Sequence, residues 1–283
     1  MGSAIARRLL DTGARVQVYD LHRERTAGLA EQGADVAVSA REATSSADFV
    51  ILSLNTAPIV QSAVFGEEGV ARTADPSKLL IDMSSIDPAA TRALAARLVE
   101  ETGMGWVDAP LSGGAPAVAR GALTLMMGGR ETDIERARCV LSLLSDRMTR
   151  LGEVGAGQTV KLVNQILCAT TFIAVAEATR FAEQLGVDAT RIPAALAGGR
   201  ADSRILQEFM AKMARRDFSP TGRIDNMLKD LETVQAAALD RRIALPLTGL
   251  VAELHRMLVA GGLGSADSAA YVRLFDLDAQ RSR

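Results

Sequence analysis

Three stretches of the chain carry residues whose types and spacing could do chemistry. The first is Gly155-Ala156-Gly157-Gln158-Thr159-Val160-Lys161-Leu162-Val163-Asn164-Gln165. On a helix, Lys161, Asn164 and Gln165 fall at i, i+3 and i+4 and share one face. Val160, Leu162, Val163 and Ile166 around them are apolar, and a lysine in such company is costly unless it is paired or functional. Taken alone, a lysine snorkelling at the helix rim is its commoner use. The second stretch is Asp108-Ala109-Pro110-Leu111-Ser112-Gly113-Gly114. Paired glycines after a strand expose backbone N–H groups, and Ser112 adds a hydroxyl. Together they could hold a small carboxylate or carbonyl oxygen, although a lone Ser-Gly-Gly is more often a plain turn. The third is Lys229-Asp230-Leu231 in a helical pattern, where a surface ion pair is the ordinary reading.

A fourth signal lies at the first residues, Met1-Gly2-Ser3-Ala4-Ile5-Ala6. Gly2 stands where the third glycine of a Gly-x-Gly-x-x-Gly dinucleotide fingerprint would open its helix. Asp20 closes the next strand, at about the ~20-residue spacing of the acid that binds ribose hydroxyls. That acid repels a 2′-phosphate and so favours NAD, whereas Arg23 or Arg25 beside it could accept one. In this register a strand and the first two glycines, ~10 residues, belong before Met1, and the recorded start is expected to be late.

The elements that must position these residues alternate in the first half. Ser3 to Leu10 has helical spacing, with Gly13 behind it as a stop. Arg15 to Asp20 reads as a strand and Arg23 to Gln32 as a helix. Asp48 to Leu54 and Lys78 to Met83 are continuous apolar runs of the buried parallel-strand kind. Pro58 to Val64 is a short helix. Pro88 opens another that runs to Glu101, with Asp87 as its N-cap. Trp106 to Asp108 and Leu123 to Met127 are later strands. This alternation predicts an α/β fold, a Rossmann-type doubly wound parallel sheet with its first strand missing. From Gln158 to Leu185 there is one long helix, stopped by Gly186, and only helical patterns follow. The expected domains are therefore 1–152, binding the dinucleotide, and 153–283, all-helical. The cleft between them is the default site.

Composition narrows the function classes. The chain has 283 residues, 32 Lys+Arg against 34 Asp+Glu, a net charge of −2 and 4% aromatic residues. Such balance leaves no electrostatic footprint for nucleic acid and no polybasic patch for a membrane surface. Two cysteines, Cys139 and Cys168, make no disulfide framework, and no Cys-x-x-Cys is present for zinc or redox chemistry. His22 and His255 are the only histidines, so a His-rich metal site or a Ser-His-Asp triad is possible only if one of them serves, and no metal is expected. The apolar run Ile166 to Ala176 falls short of the ~20 residues a membrane crossing needs. No secretory signal opens the chain. A cytoplasmic enzyme is expected.

Taken together these motifs resemble the β-hydroxyacid dehydrogenase family, which includes 3-hydroxyisobutyrate dehydrogenase. The matches run the whole length: Gly2 and its helix, Ser53-Leu54-Asn55, Asp82-Met83-Ser84-Ser85-Ile86, the Asp-Ala-Pro-x-Ser-Gly-Gly stretch, Gly155 to Gln165, and Lys229-Asp230-Leu231. Within the family the 2-hydroxy-3-oxopropionate (tartronate semialdehyde) reductases are most similar, through Gly198 to Leu206 and Gly262 to Asp267. The chain departs from that branch at Leu111, at Thr221-Gly222 and at Ser268, where valine, Gly-Phe and histidine are usual.

The resemblance implies a hydride transfer between NAD or NADP and a small 3-hydroxyacid, with 2-hydroxy-3-oxopropionate and D-glycerate as the expected pair. It assigns Lys161 as the general acid/base, with Asn164 fixing the substrate hydroxyl or orienting the lysine. Ser112, Gly113 and Gly114 would bind the substrate carboxylate. Gly2, Asp20, Asn55, Ser85 and Lys229 would hold the cofactor. A homodimer or homotetramer is implied, built on the long helix with its Phe172, Ile173, Val175 and Phe181. The competing readings are a 3-hydroxyisobutyrate dehydrogenase, an imine reductase-like enzyme (a group that generally lacks the lysine) and a binding protein impaired in cofactor binding by the missing phosphate loop.

Overall fold

The computed structural model describes residues 1–276. The chain divides into two compact units, Met1–Lys161 and Leu162–Arg283. In the first, the elements are α1 (Gly2–Asp11), β1 (Gln17–Val18), α2 (Ala27–Ala30), β2 (Asp35–Val36), α3 (Ala40–Ser45), β3 (Phe49–Leu52), α4 (Ala57–Phe65), β4 (Leu79–Asp82) and α5 (Pro88–Thr102). They continue with β5 (Gly105–Asp108), β6 (Leu111–Ser112), α6 (Gly114–Ala119), β7 (Thr124–Gly128), α7 (Glu131–Leu141) and β8 (Arg147–Gly152). The helix α8 (Ala156–Gln184) runs through the division between the units.

Strands β3, β4 and β5 pair in parallel, with Ile51 beside Ile81 and Ile81 beside Val107. β7 continues the sheet antiparallel to β5 and β6, and β8 lies parallel to β7. β1 and β2 form a separate parallel pair. The α/β expectation with a parallel-dominated sheet holds. Leu79, Leu80, Ile81 and Val107 are fully buried because helices cover both faces, which is why the sequence showed continuous apolar runs there. Burial of each such side chain contributes roughly 1.5–3 kcal/mol. α5 begins as its residues dictate: Asp87 accepts a hydrogen bond from the Ala90 N–H at 2.8 Å, and Gly103 ends it in the left-handed region at φ 74°.

The second unit is helical, with α9 (Ile192–Leu196), α10 (Arg204–Ala214), α11 (Ile224–Asp240) and α12 (Pro246–Leu258). Phe172, Ile173 and Val175 of α8 are buried in this unit's own core with Phe209, Leu231 and Tyr271. Of the four apolar residues expected to meet a second subunit, only Phe181 is exposed, at 67%. By length and composition α8 could cross a membrane, although no apolar run of sufficient length stood out in the sequence; 39% of its most apolar window is buried inside the protein. Its buried face packs as a core helix does.

Candidate active site

The carboxyl ends of the parallel strands carry the candidate residues of the first unit. β3 exits through Ser53-Leu54-Asn55 and β4 through Met83-Ser84-Ser85. The Leu54 N–H donates to the Ser84 hydroxyl at 2.9 Å. That bond joins the two exits and sets Asn55 and Ser85 each one residue from the junction. Ser84 is itself fixed by donating its N–H to the buried Asp82 carboxylate at 3.0 Å.

The start of α8 is fastened to the same strand ends. Gln158, buried, donates its amide to the Ser84 carbonyl at 2.8 Å and accepts from the Ile86 N–H at 3.3 Å. Ser85 lies between those two partners. From β5, the Asp108 carboxylate accepts from the Gly155 N–H at 2.7 Å and the Gln158 N–H at 2.9 Å. Lys161 follows one turn later, half-buried. Four residues beyond Asp108, Ser112 closes β6 and leads into Gly113 and Gly114, both at positive φ (124° and 67°). Ser112 and Lys161 thus issue from one hydrogen-bonded junction.

Burial sets the charge state of that junction. Desolvation pushes the Asp82 and Asp108 carboxyls up to about 6, against hydrogen bonds from Ser84 at Asp82 and from Gly155 and Gln158 at Asp108.

In the second unit a second set is connected. The Asn164 amide donates to the Gln165 side-chain oxygen at 2.8 Å and lies 3.5 Å from the Cys168 sulfur. Gln165 donates onward to Asp230, and Asp230 pairs with Lys229 at 3.0 Å. Gln165 and Asp230 are buried, so the middle of this polar chain is shielded from water. Sequence reasoning gave no role to Gln158 or Asp108; it set Gln165 on the Lys161–Asn164 face and read Lys229-Asp230 as a surface ion pair, a pair the structure contains with Asp230 buried. The available signal was a carboxylate ending an apolar strand and an amide within an apolar helix face.

Of the remaining candidates, Gly2 lies against the β3 exit and Asp20 just beyond β1. Gly2 opens α1, where a Cβ would lie 3.8 Å from the Ser53 Cβ. Asp20 follows β1; it accepts from the His22 N–H at 2.9 Å and stands 3.7 Å from Arg25. His255 is buried between the Val251 carbonyl and the Tyr271 hydroxyl, a structural placement. Among the described residues no group of His, Cys, Asp and Glu could hold a metal ion.

Residues 1–152 match the family described as the NAD binding domain of 6-phosphogluconate dehydrogenase. Residues 155–275 match that described as NAD-binding of NADP-dependent 3-hydroxyisobutyrate dehydrogenase. The chain is 35% identical over 281 residues to 2-hydroxy-3-oxopropionate reductase of Escherichia coli, covering 98% of this chain and 94% of the relative. The chain belongs to the β-hydroxyacid dehydrogenase family. Another relative, the NAD-dependent L-serine dehydrogenase of Pseudomonas aeruginosa, is 32% identical and covers 98% of this chain and 95% of its own. The solved 3-hydroxyisobutyrate dehydrogenase of Mycobacterium tuberculosis with L-serine superposes at a TM-score of 0.87. It is 30% identical and covers 98% of this chain and 96% of its own.

As a β-hydroxyacid dehydrogenase, the protein is an NAD(P)-dependent oxidoreductase of small hydroxyacids. The residues present fit a dinucleotide. Gly2 opens α1, and a helix N-terminus of this kind favours an anionic phosphate. Asp20, Asn55 and Ser85 all lie beyond the carboxyl ends of parallel strands, where such folds take their ligands.

Proposed function

We propose that this enzyme interconverts D-glycerate and 2-hydroxy-3-oxopropionate, with Lys161 as general acid/base. The supporting observation is the placement of Lys161 one turn beyond the Asp108–Gln158 junction, on the helix that carries Asn164 on the same face. In oxidation the neutral Lys161 amine takes the proton of the substrate hydroxyl as the C–H bond gives up its hydride. In reduction the Lys161 ammonium returns that proton to the carbonyl oxygen. The nicotinamide, when bound, accepts or supplies the hydride. Asn164 orients the substrate hydroxyl, its own amide held by Gln165. Ser112, Gly113 and Gly114 bind the substrate carboxylate through the hydroxyl and consecutive backbone N–H groups. Gly2 and Asp20 serve the adenosine side of the cofactor and Asn55 and Ser85 the nicotinamide ribose, and Lys229 is a further cofactor-binding residue. The dinucleotide domain is residues 1–152 and the helical substrate domain 153–283. The setting is cytoplasmic and the assembly a homodimer or homotetramer.

A second substrate, 3-hydroxyisobutyrate, is kept open by one observation. Two departures from the 2-hydroxy-3-oxopropionate reductase pattern touch each other: the Ser268 hydroxyl donates to the Gly222 carbonyl at 3.3 Å. A remodelled substrate end would discriminate between acids of different bulk. The test is a panel of D-glycerate, 3-hydroxyisobutyrate and L-serine with both cofactors. D-glycerate is expected to give the highest kcat/KM. Lys161→Ala is expected to lower kcat by about 10²–10⁴-fold. Unchanged kcat in that variant removes Lys161 from the chemistry.

A further inference from the structure

Helix α8 lacks a capping side chain of its own. The residue before it is Gly155, held at φ 90°, and the first four N–H groups of any helix need partners. The partner comes instead from β5. Both Asp108 carboxylate oxygens are used, Oδ1 by Gly155 and Oδ2 by Gln158.

Two glycines make this approach possible. Gly128 is the register partner of Asp108 on β7, and a Cβ there would lie 2.6 Å from Asp108 Oδ1. A Cβ at Gly157 would meet Asp108 Oδ2 at 2.8 Å and collide with the Met126 carbonyl oxygen. The first turn of α8 therefore rests directly on the strand ends. Gln158 completes the attachment by bridging Ser84 and Ile86.

We propose that Asp108 is a positioning residue for Lys161: it replaces the missing N-cap of α8 and fixes the lysine's helical turn relative to the strand that leads to Ser112. This rests on Lys161 being the general acid/base. It adds that the lysine's geometry is set by a carboxylate that touches neither substrate nor cofactor. Each of its two oxygens accepts a helix N–H, as a carboxylate does, although burial raises this carboxyl to about 6.

The test uses the full chain and the variants Asp108→Asn and Asp108→Ala, the near-isosteric asparagine guarding against misfolding at position 108. Asparagine keeps one accepting oxygen and alanine none. Expected kcat therefore falls in the order wild type, Asp108→Asn, Asp108→Ala, by up to about 100-fold, the loss that ~1 Å of misplacement produces. KM for the cofactor is expected to stay unchanged. Amide hydrogen exchange, which needs no activity, is expected to quicken at residues 155–161 while β4 and β7 stay protected. Slow exchange at 155–161 together with wild-type kcat in a folded Asp108→Ala, or in Asp108→Asn where the alanine variant does not fold, overturns the proposal. If Lys161→Ala retains turnover while exchange at 155–161 quickens as stated, Asp108 still anchors the helix, and the chemical role of Lys161 is what fails.

Discussion

Asp82 and Asp108 stand side by side in register on adjacent parallel strands, each the last residue of its strand and each fully buried. Two like charges at the ligand end of a sheet are costly. Asp108 offsets the cost through the helix N–H groups it accepts. Asp82 has less support: Oδ1 takes the Ser84 N–H, and Oδ2 has no hydrogen-bond partner among the described residues.

Asp82 should therefore impose a pH dependence on stability. Its carboxyl is raised from 3.8 to about 6, chiefly by burial and further by Asp108. A carboxyl raised in the folded state stabilises the fold below its unfolded value. That contribution is lost as pH rises through the folded value. A shift of this size corresponds to about 3 kcal/mol. Asp82→Asn should thus melt higher than wild type at pH 8, with the gap closing toward pH 4. Melting curves across that range check it; a gap that widens at low pH would refute the assignment.

The close contact at Gly157 makes a second prediction. An added Cβ has backbone on one side and the Asp108 carboxylate on the other, neither able to withdraw. Gly157→Ala should cost about 1–3 kcal/mol through overpacking and should lower kcat with it. Gly249 is the control. It lies in α12 with nothing within 4 Å of its Cβ position, so Gly249→Ala should gain roughly 0.5–1 kcal/mol from helix propensity. Denaturant unfolding of both variants separates the cases, and equal signs for the two would contradict the packing argument.

Much of this was legible in the sequence, and the exceptions have physical causes. β3 and β4 announced themselves as apolar runs because both faces are covered. α5 did so through Asp87 and Pro88, which act locally. β8 did not, because Arg147 to Gly152 is largely exposed and its pairing with β7 leaves no apolar signature. β2 is two exposed residues. The family's site residues could be placed on elements by motif. The Asp108–Gln158 junction could not, because its bonds join positions far apart in sequence, and periodicity reports burial without naming the partner.

The second unit leaves apolar side chains exposed along α8: Leu167 at 63%, Phe181 at 67% and, just beyond its end, Leu185 at 66%. Covering such residues is what an obligate subunit interface does. The proposed homo-oligomer should dissociate in the double variant Phe181→Asp, Leu185→Asp. Light scattering should then give the mass of one chain where wild type gives a multiple. Wild type already at the mass of one chain would end the oligomer proposal.

Asp20 should decide cofactor choice. Its carboxylate follows β1, accepting the His22 N–H at 2.9 Å with Arg25 at 3.7 Å. There it would accept from the ribose hydroxyls of NAD and repel the 2′-phosphate of NADP. Like charges brought together at a binding surface cost several kcal/mol. Asp20→Ser removes the repulsion and leaves Arg23 and Arg25 nearby to meet the phosphate. The ratio of kcat/KM for NAD over NADP should fall by about 10-fold or more. The decisive measurement is that ratio in wild type and variant at one ionic strength, since salt screens the term. A wild type that already prefers NADP, or a ratio that does not move, places discrimination away from Asp20.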